Sequence, residues 1–458
     1  MKHLKLIVLM CLAVLIALTA VACGGSETPD TTAATTTDGV VTTPNTAAAT
    51  NPTETTPVAT TPTTTTTTTP AGTTPAATTP ATTTPATTTP TTTEALPTSF
   101  TELKIGETPI SDYTIVYAKS PYEMYVKSAE NKPYFPVYDF DHETADRLSD
   151  LIFNVTGVRL NVVQDTESTE VANEILIGKT NRTLTGGLKL SDLTTDDYVL
   201  NVVGTKLVIC GGTYGTTWHA LDYLETLFAD KLAQREVNYA FAKNFSYVSS
   251  YHLTVIGCIG DSITQGVGAS DQAMFSYPAQ MGRILWKDAI VQNFGNSGST
   301  MRDDLGDAYT KRATYASAVK AAASVDIFTI MLGTNDSDRD RTWTDADTES
   351  YNNSCLGIMD ALKKKNKDLK FVLANCPAYF GAGTFGSAKI RQIQNALLSI
   401  VNDAGYPTTF FDMYSVTKTM RFDYPDSLHP NNKGHLKMAE AFAEYLQTLI
   451  TPETNEAK

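Results

Sequence analysis

From Leu253 onward the chain repeats one unit: a short apolar run, then a stretch with helical spacing of apolar residues. The runs are Leu253–Ile259, Ile290–Phe294, Asp326–Leu332, Lys370–Cys376 and Thr408–Phe411. Helices are predicted between and after them over Gln272–Lys287, Asp307–Ala323, Asp347–Lys365, Ser387–Asp403 and Asn432–Ile450. Parallel strands need helix-length crossovers, and helices on both faces make such strands apolar throughout. The pattern therefore predicts an α/β fold over residues 251–451, a parallel sheet in a three-layer α/β/α arrangement. Ligands in such folds bind beyond the carboxyl ends of the strands.

Four polar islands fall at those ends: Gly260-Asp-Ser-Ile-Thr264, Asn293-Phe-Gly-Asn-Ser-Gly298, Gly333-Thr-Asn-Asp336 and Asp426-Ser-Leu-His-Pro430. Each alone has a plain explanation. A serine after a strand caps a helix, and Gly and Asn shape turns. Together and in this order they resemble the blocks of the SGNH (GDSL-like) hydrolase superfamily. That resemblance implies the flavodoxin-like SGNH fold and ester hydrolysis without metal or organic cofactor. It implies Ser262 as nucleophile and His429 as base. It also implies oxyanion donors from the Ser262 and Gly295 N–H groups and the Asn335 side chain.

The residue chemistry is consistent with this. A serine hydroxyl needs a base within hydrogen-bond reach. Asp426 precedes His429 by three, a spacing that in a turn lets its carboxylate orient the ring and stabilise the imidazolium. Asp336 reads as a brace for its own loop, and His435, on the following helix, as structural. No Gly-x-Ser-x-Gly elbow surrounds Ser262, which disfavours the larger α/β-hydrolase fold. Trp343, Tyr379 and Phe380 follow strands and are candidate substrate contacts, although an aromatic in that place is more often a lid over the core. No long apolar cap suggests a lipid substrate.

The remainder of the chain is modular. Residues 1–22 combine a basic start with an apolar run, a secretory signal. Ala20-Val-Ala-Cys23 resembles a bacterial lipobox with Cys23 lipidated; the alternative is plain cleavage after Ala22. Residues 23–98 are nearly all Thr, Pro and Ala and predict a disordered linker. Extended, it would reach on the order of 100–200 Å. Residues 99–250 read as a smaller α/β domain, with strands at Val158–Val163, Glu174–Gly178, Tyr198–Val203 and Lys206–Cys210, and helices over Glu143–Phe153 and Thr216–Phe228. Its NEILIGKTNR, DDYVLNVVGTKLVICGG and TTWHALDYLETLF runs resemble the small non-catalytic α/β domain of several glycoside hydrolases. Cys210, Cys258, Cys355 and Cys376 form an even set that allows disulfides; the apolar runs around three of them favour buried thiols.

The net charge of −14 argues against a nucleic-acid surface. The expectation is an extracellular, surface-tethered or freely secreted bacterial esterase acting on an acylated polysaccharide. Membrane contact would come only through a lipid at Cys23. The alternatives are a peptidoglycan or exopolysaccharide O-acetylesterase, a lipid-directed esterase, and a non-catalytic glycan-binding protein.

Overall fold

The computed structural model describes residues 95–121, 139–337, 342–381 and 387–450. The expected signal segment 1–22, the expected lipid site Cys23 and the rest of residues 23–94 lie outside the described residues. The described strands are β1 (Glu102–Ile105), β2 (Thr108–Pro109), β3 (Thr114–Tyr117), β4 (Asn161–Gln164), β5 (Glu174–Ile177), β6 (Asp197–Val203), β7 (Lys206–Gly211), β8 (Asn238–Phe241), β9 (Ser246–Ser250), β10 (Thr254–Gly260), β11 (Ala289–Gly295), β12 (Ile327–Met331), β13 (Lys370–Ala374) and β14 (Thr408–Phe411). The α-helices are α1 (Phe140–Thr156), α2 (Tyr214–Ala233), α3 (Ser262–Gln265), α4 (Gln272–Phe275), α5 (Tyr277–Ile284), α6 (Ala313–Ala321), α7 (Thr334–Ser337), α8 (Asp345–Lys363), α9 (Ser387–Asp403), α10 (Met413–Thr417) and α11 (Asn432–Gln447).

The first part carries a six-stranded mixed sheet, order β4-β3-β5-β7-β6-β9, and a small sheet, order β2-β1-β8. β4, β3, β5 and β7 run parallel, while β6 is antiparallel to both β7 and β9. Gly204, at φ +65°, turns the β6–β7 hairpin. β1, β2, β3, β8 and β9 were not among the predicted strands. β9 alternates exposed and half-buried residues at the sheet edge, so it lacks the apolar run that marks a buried strand. Helices α1 and α2 are capped by Asp139 and Thr213 and pack Leu148, Ile152, Leu221, Leu224 and Phe228 into one core.

From Thr254 the chain builds a five-stranded all-parallel sheet, order β11-β10-β12-β13-β14. Its strands alternate between two cores, as the period of two requires. Val255, Ile259, Phe328, Ile330, Phe371 and Leu373 meet α6, α8 and α9 on one face. Ile256, Cys258, Ile327, Met331, Val372 and Ala374 meet α5 and α11 on the other. Burying each large aliphatic side chain contributes about 1.5–3 kcal/mol. The flavodoxin-like three-layer arrangement expected from the sequence is the fold observed. Two expected helices are each broken. The one over Gln272–Lys287 divides at Ser276, whose extended backbone and side chain cap α5 ahead of Pro278. The one over Asp307–Ala323 begins with a 3₁₀ turn at Tyr309–Lys311 before α6. Cys210, Cys258, Cys355 and Cys376 are buried free thiols.

Where β9 passes into β10, His252 sits between two carboxylates. Its Nδ1 is 3.2 Å from Asp196 Oδ2 and its Nε2 is 3.1 Å from Asp326 Oδ2. Asp326 also accepts the Val255 N–H at 2.7 Å, fixing the start of β10. Burial opposes the charged ring, but the bonds and charges of Asp196 and Asp326 outweigh it and raise its pKa above 6.5. A raised folded-state pKa stabilises the fold below the unfolded value, and that contribution is lost as pH rises through the folded value. The difference in unfolding midpoint between wild type and His252→Gln is therefore expected to be widest below about pH 6 and to close on the alkaline side. Thermal melts across pH check this; a gap independent of pH would rule it out.

Candidate active site

β10 is the second strand of its sheet, flanked by β11 and β12, and it ends at Gly260. A Cβ at Gly260 would lie 2.0 Å from Thr264 Oγ1, so only glycine allows the tight turn into α3. Asp261 caps that turn by accepting the Ile263 N–H at 3.0 Å. Its carboxyl is buried, and burial pushes its pKa up to about 6. Ser262 follows as the first helical residue. Its backbone N–H has no hydrogen-bond partner among the described residues.

His429 comes from the turn before α11. Its Nε2 lies 2.9 Å from Ser262 Oγ. Its Nδ1 lies 2.6 Å from Asp426 Oδ2. The Asp426 Oδ1 accepts the N–H groups of Leu428 at 2.9 Å and His429 at 2.6 Å. Burial pushes the Asp426 carboxyl up. The hydrogen bonds from the His429 and Leu428 N–H groups and from the imidazole outweigh it, leaving its pKa below the usual carboxylate value. The turn is tight enough to hold Ser427 at φ +70°, a region that non-glycine residues rarely adopt. Two backbone bonds hold it there: Ser427 N–H to Tyr424 O at 3.0 Å and Phe380 N–H to Ser427 O at 2.9 Å. Behind it, buried His435 accepts the Tyr277 N–H at Nδ1 and faces the Val267 carbonyl through Nε2. Burial drives the His435 pKa down to about 4, so it is neutral and ties α11 to α5 and to the loop after Ser262.

The second and third islands are joined by Asp336 and Asn335. Asp336 is buried and accepts the N–H groups of Met301 at 2.8 Å and Arg302 at 3.1 Å. Burial raises its pKa to about 6 despite those bonds. The Asn335 amide donates to Ser299 O at 2.9 Å, and its other hydrogen has no partner among the described residues.

Here the structure corrects one sequence expectation. The Gly295 N–H is taken by Asn293 Oδ1 at 2.8 Å. A Cβ at this residue would come 2.2 Å from Gln265 N, so Gly295 is glycine because β11 packs directly on the α3 turn. Gly298 is the freer donor. It sits at φ +74°, its N–H has no partner among the described residues, and nothing lies within 4 Å of its missing Cβ. Its neighbours are pinned on both sides, Ser297 N–H by Gln265 Oε1 at 2.7 Å and Ser299 O by Asn335. The second glycine of Asn293-Phe-Gly-Asn-Ser-Gly298 was the available signal, since it lies past the strand end and outside the ladder.

The three aromatic candidates separate. Trp343 is buried in a core and donates Nε1–H to Thr348 Oγ1 at 2.8 Å, with Tyr351 beside it; it packs the fold and presents no open ring face for a sugar. Tyr379 and Phe380 are half-buried. Phe380 adjoins the His429 turn through its bond to Ser427 and an edge contact with Tyr424. The described residues contain no cluster of three or more potential metal ligands.

Residues 258–437 match the family model described as GDSL-like lipase/acylhydrolase. An acetylxylan esterase of Xylanibacter ruminicola is 29% identical over 212 residues, which are 41% of this chain and 42% of the relative; the chain thus matches less than half the relative's length. Among solved structures, the carbohydrate acetylesterase Est24 of Sinorhizobium meliloti is 18% identical over 43% of this chain and 99% of its own, with a TM-score of 0.35. A family two carbohydrate esterase of Clostridium thermocellum, solved with cellohexaose, is 18% identical over 44% of this chain and 67% of its own, with a TM-score of 0.33. The residues matched to the GDSL-like lipase/acylhydrolase model, 258–437, carry the turns that hold Ser262, Gly298, Asn335, Asp426 and His429 at the ends of the three-layer α/β/α sheet.

Proposed function

We propose that this domain is a serine esterase that removes O-acetyl or other short acyl groups from a polysaccharide. The observation that carries the reading is the unbroken contact from Ser262 Oγ through His429 to Asp426, at 2.9 and 2.6 Å. Ser262 Oγ attacks the ester carbonyl carbon while His429 Nε2 takes its proton. Asp426, ionised because its folded-state pKa is depressed, stabilises the imidazolium. The carbonyl oxygen becomes an oxyanion that accepts from the Ser262 N–H, the Gly298 N–H and the Asn335 amide, each such donor being worth about 10²–10³-fold in rate. The tetrahedral adduct collapses as the imidazolium protonates the departing sugar oxygen. Water, deprotonated by His429, then attacks the acyl-enzyme and releases the acid and Ser262.

The polysaccharide substrate is supported by the similarity to an acetylxylan esterase and by the resemblance of residues 99–250 to a domain of glycoside hydrolases. The same reading puts the protein at a bacterial cell surface on a lipid at Cys23, supported by the apolar run and the Ala20-Val-Ala-Cys23 sequence.

Wild type and Ser262→Ala compared on acetylated xylan, acetylated peptidoglycan and an aryl acetate test this reading. Wild type is expected to release acetate fastest from xylan, with Ser262→Ala slower by roughly 10⁴-fold or more. Faster release from peptidoglycan would change the polymer, and equal inertness of both proteins would sink the esterase. The two glycines should part ways. Gly298→Ala has room for its methyl and is expected to unfold within about 1–2 kcal/mol of wild type while losing kcat by roughly tenfold or more. Gly295→Ala must displace backbone and is expected to cost stability first, by about 1–3 kcal/mol. Paired melts and kinetics separate the two; the reverse pattern would return the donor role to Gly295.

A further inference from the structure

A second crevice lies in the first sheet, at the carboxyl ends of the neighbouring parallel strands β3, β5 and β7. The strand order reverses at β3, which pairs with β4 on one side and β5 on the other. Such a reversal is where open α/β sheets bind ligands. The cavity there has a volume of about 390 Å³, within the range of small-molecule sites. Its lining includes Lys119, Asp141, Gly178, Lys179, Gly212 and Tyr214.

Asp141 is the anomaly. It stands in the first turn of α1, only 5% exposed, and its Oδ1 is buried without a hydrogen-bond partner among the described residues. A buried, unsatisfied carboxylate destabilises a fold unless something outside the chain completes it. The backbone makes room for it. Gly178, at φ +74°, is the close neighbour, and a Cβ there would lie 2.4 Å from Asp141 Oδ2. Burial, with the charges of Asp139 and Asp165, pushes the Asp141 pKa up to about 8, and Lys179 only partly opposes this.

The surroundings narrow the occupant. The charges of Asp139 and Asp165 repel a free anion. A metal ion would need further ligands, and the described residues gather no such set. Lys119 and Lys179 are exposed at the rim, and Lys179 Nζ already reaches the Gly212 carbonyl at 3.4 Å. The missing molecule must give hydrogen bonds to a carboxyl group and take them from ammonium groups, without carrying charge. Sugar hydroxyls do both, and Tyr214 is part of the wall. We infer that this cavity is a saccharide-binding site, taking a neutral sugar unit whose neighbouring hydroxyls bond to Asp141, Lys119 and Lys179. The site is separate from Ser262, and the inference stands whether or not the domain is an esterase.

Calorimetric titration of the full chain at pH 7 with xylotriose, cellotriose and inorganic phosphate tests it. Wild type is expected to bind one of the sugars saturably and phosphate not at all. Asp141→Asn and Lys179→Met are each expected to weaken that binding tenfold or more. Because a raised carboxyl pKa subtracts stability as pH rises from about 4 to about 8, Asp141→Asn is also expected to melt higher than wild type at pH 8.5. A side chain kept for structure would give the opposite sign. The site is overturned if neither sugar binds, if phosphate binds in their place, or if Asp141→Asn and Lys179→Met bind sugar as wild type does.

Discussion

The site depends on the register of one strand. β10 pairs in parallel with β11 and β12, and Gly260 lies level with Gly295 on one side and Met331 on the other. All three strands therefore stop along nearly the same row. The turns that leave them carry Ser262, Gly298 and Asn335, residues far apart in the chain. A shift of one residue in this pairing would turn every side chain of β10 to the wrong face. It would move Ile256 and Cys258 from one core to the other, so the packing of the sheet and the alignment of the site are enforced together. His429 arrives independently, on the turn before α11, and the buried His435 one helical turn further on fixes that helix against α5.

Three carboxylates near the site show how environment divides one chemistry into separate tasks. Asp426, partly open and bonded by two N–H groups and an imidazole, is held ionised beside His429. Asp336 is buried and spends both oxygens on the backbone at Met301 and Arg302, clamping the second island to the third. Asp261 is buried and caps the serine turn. The two buried groups have raised pKa values and the partly exposed one a lowered value, the order expected when desolvation competes with hydrogen bonds.

Much of this was legible from local pattern. The central strands β10, β12 and β13 were readable because burial on both faces makes each a continuous apolar run, and the half-buried edge strands β11 and β14 because each keeps its place in the strand–helix alternation. The helices over Ser387–Asp403 and Asp345–Lys363 were readable because their apolar spacing holds without a break. The edge strand β9 was not, because one exposed face removes that signal. The split at Ser276 was not, because helical apolar spacing continues through it. Trp343 illustrates a different gap. An aromatic after a strand can face a cleft or a core, and only its packing against Tyr351 and Thr348 decides.

By itself the sequence determined the α/β class, the succession of the four islands, and the pairing of Asp426 with His429, whose three-residue spacing is a local turn property. It could not determine which glycine keeps a free N–H, because that depends on what stands opposite. Gly295 lies against Gln265 and is bonded by Asn293, whereas Gly298 projects past the ladder. Nor could it show that Asp141 is buried with one oxygen unpartnered among the described residues, since a helix-start aspartate is ordinarily exposed. Both answers are contacts between residues distant in sequence, and such contacts exist only once the strands have set their register and the chain has closed around them.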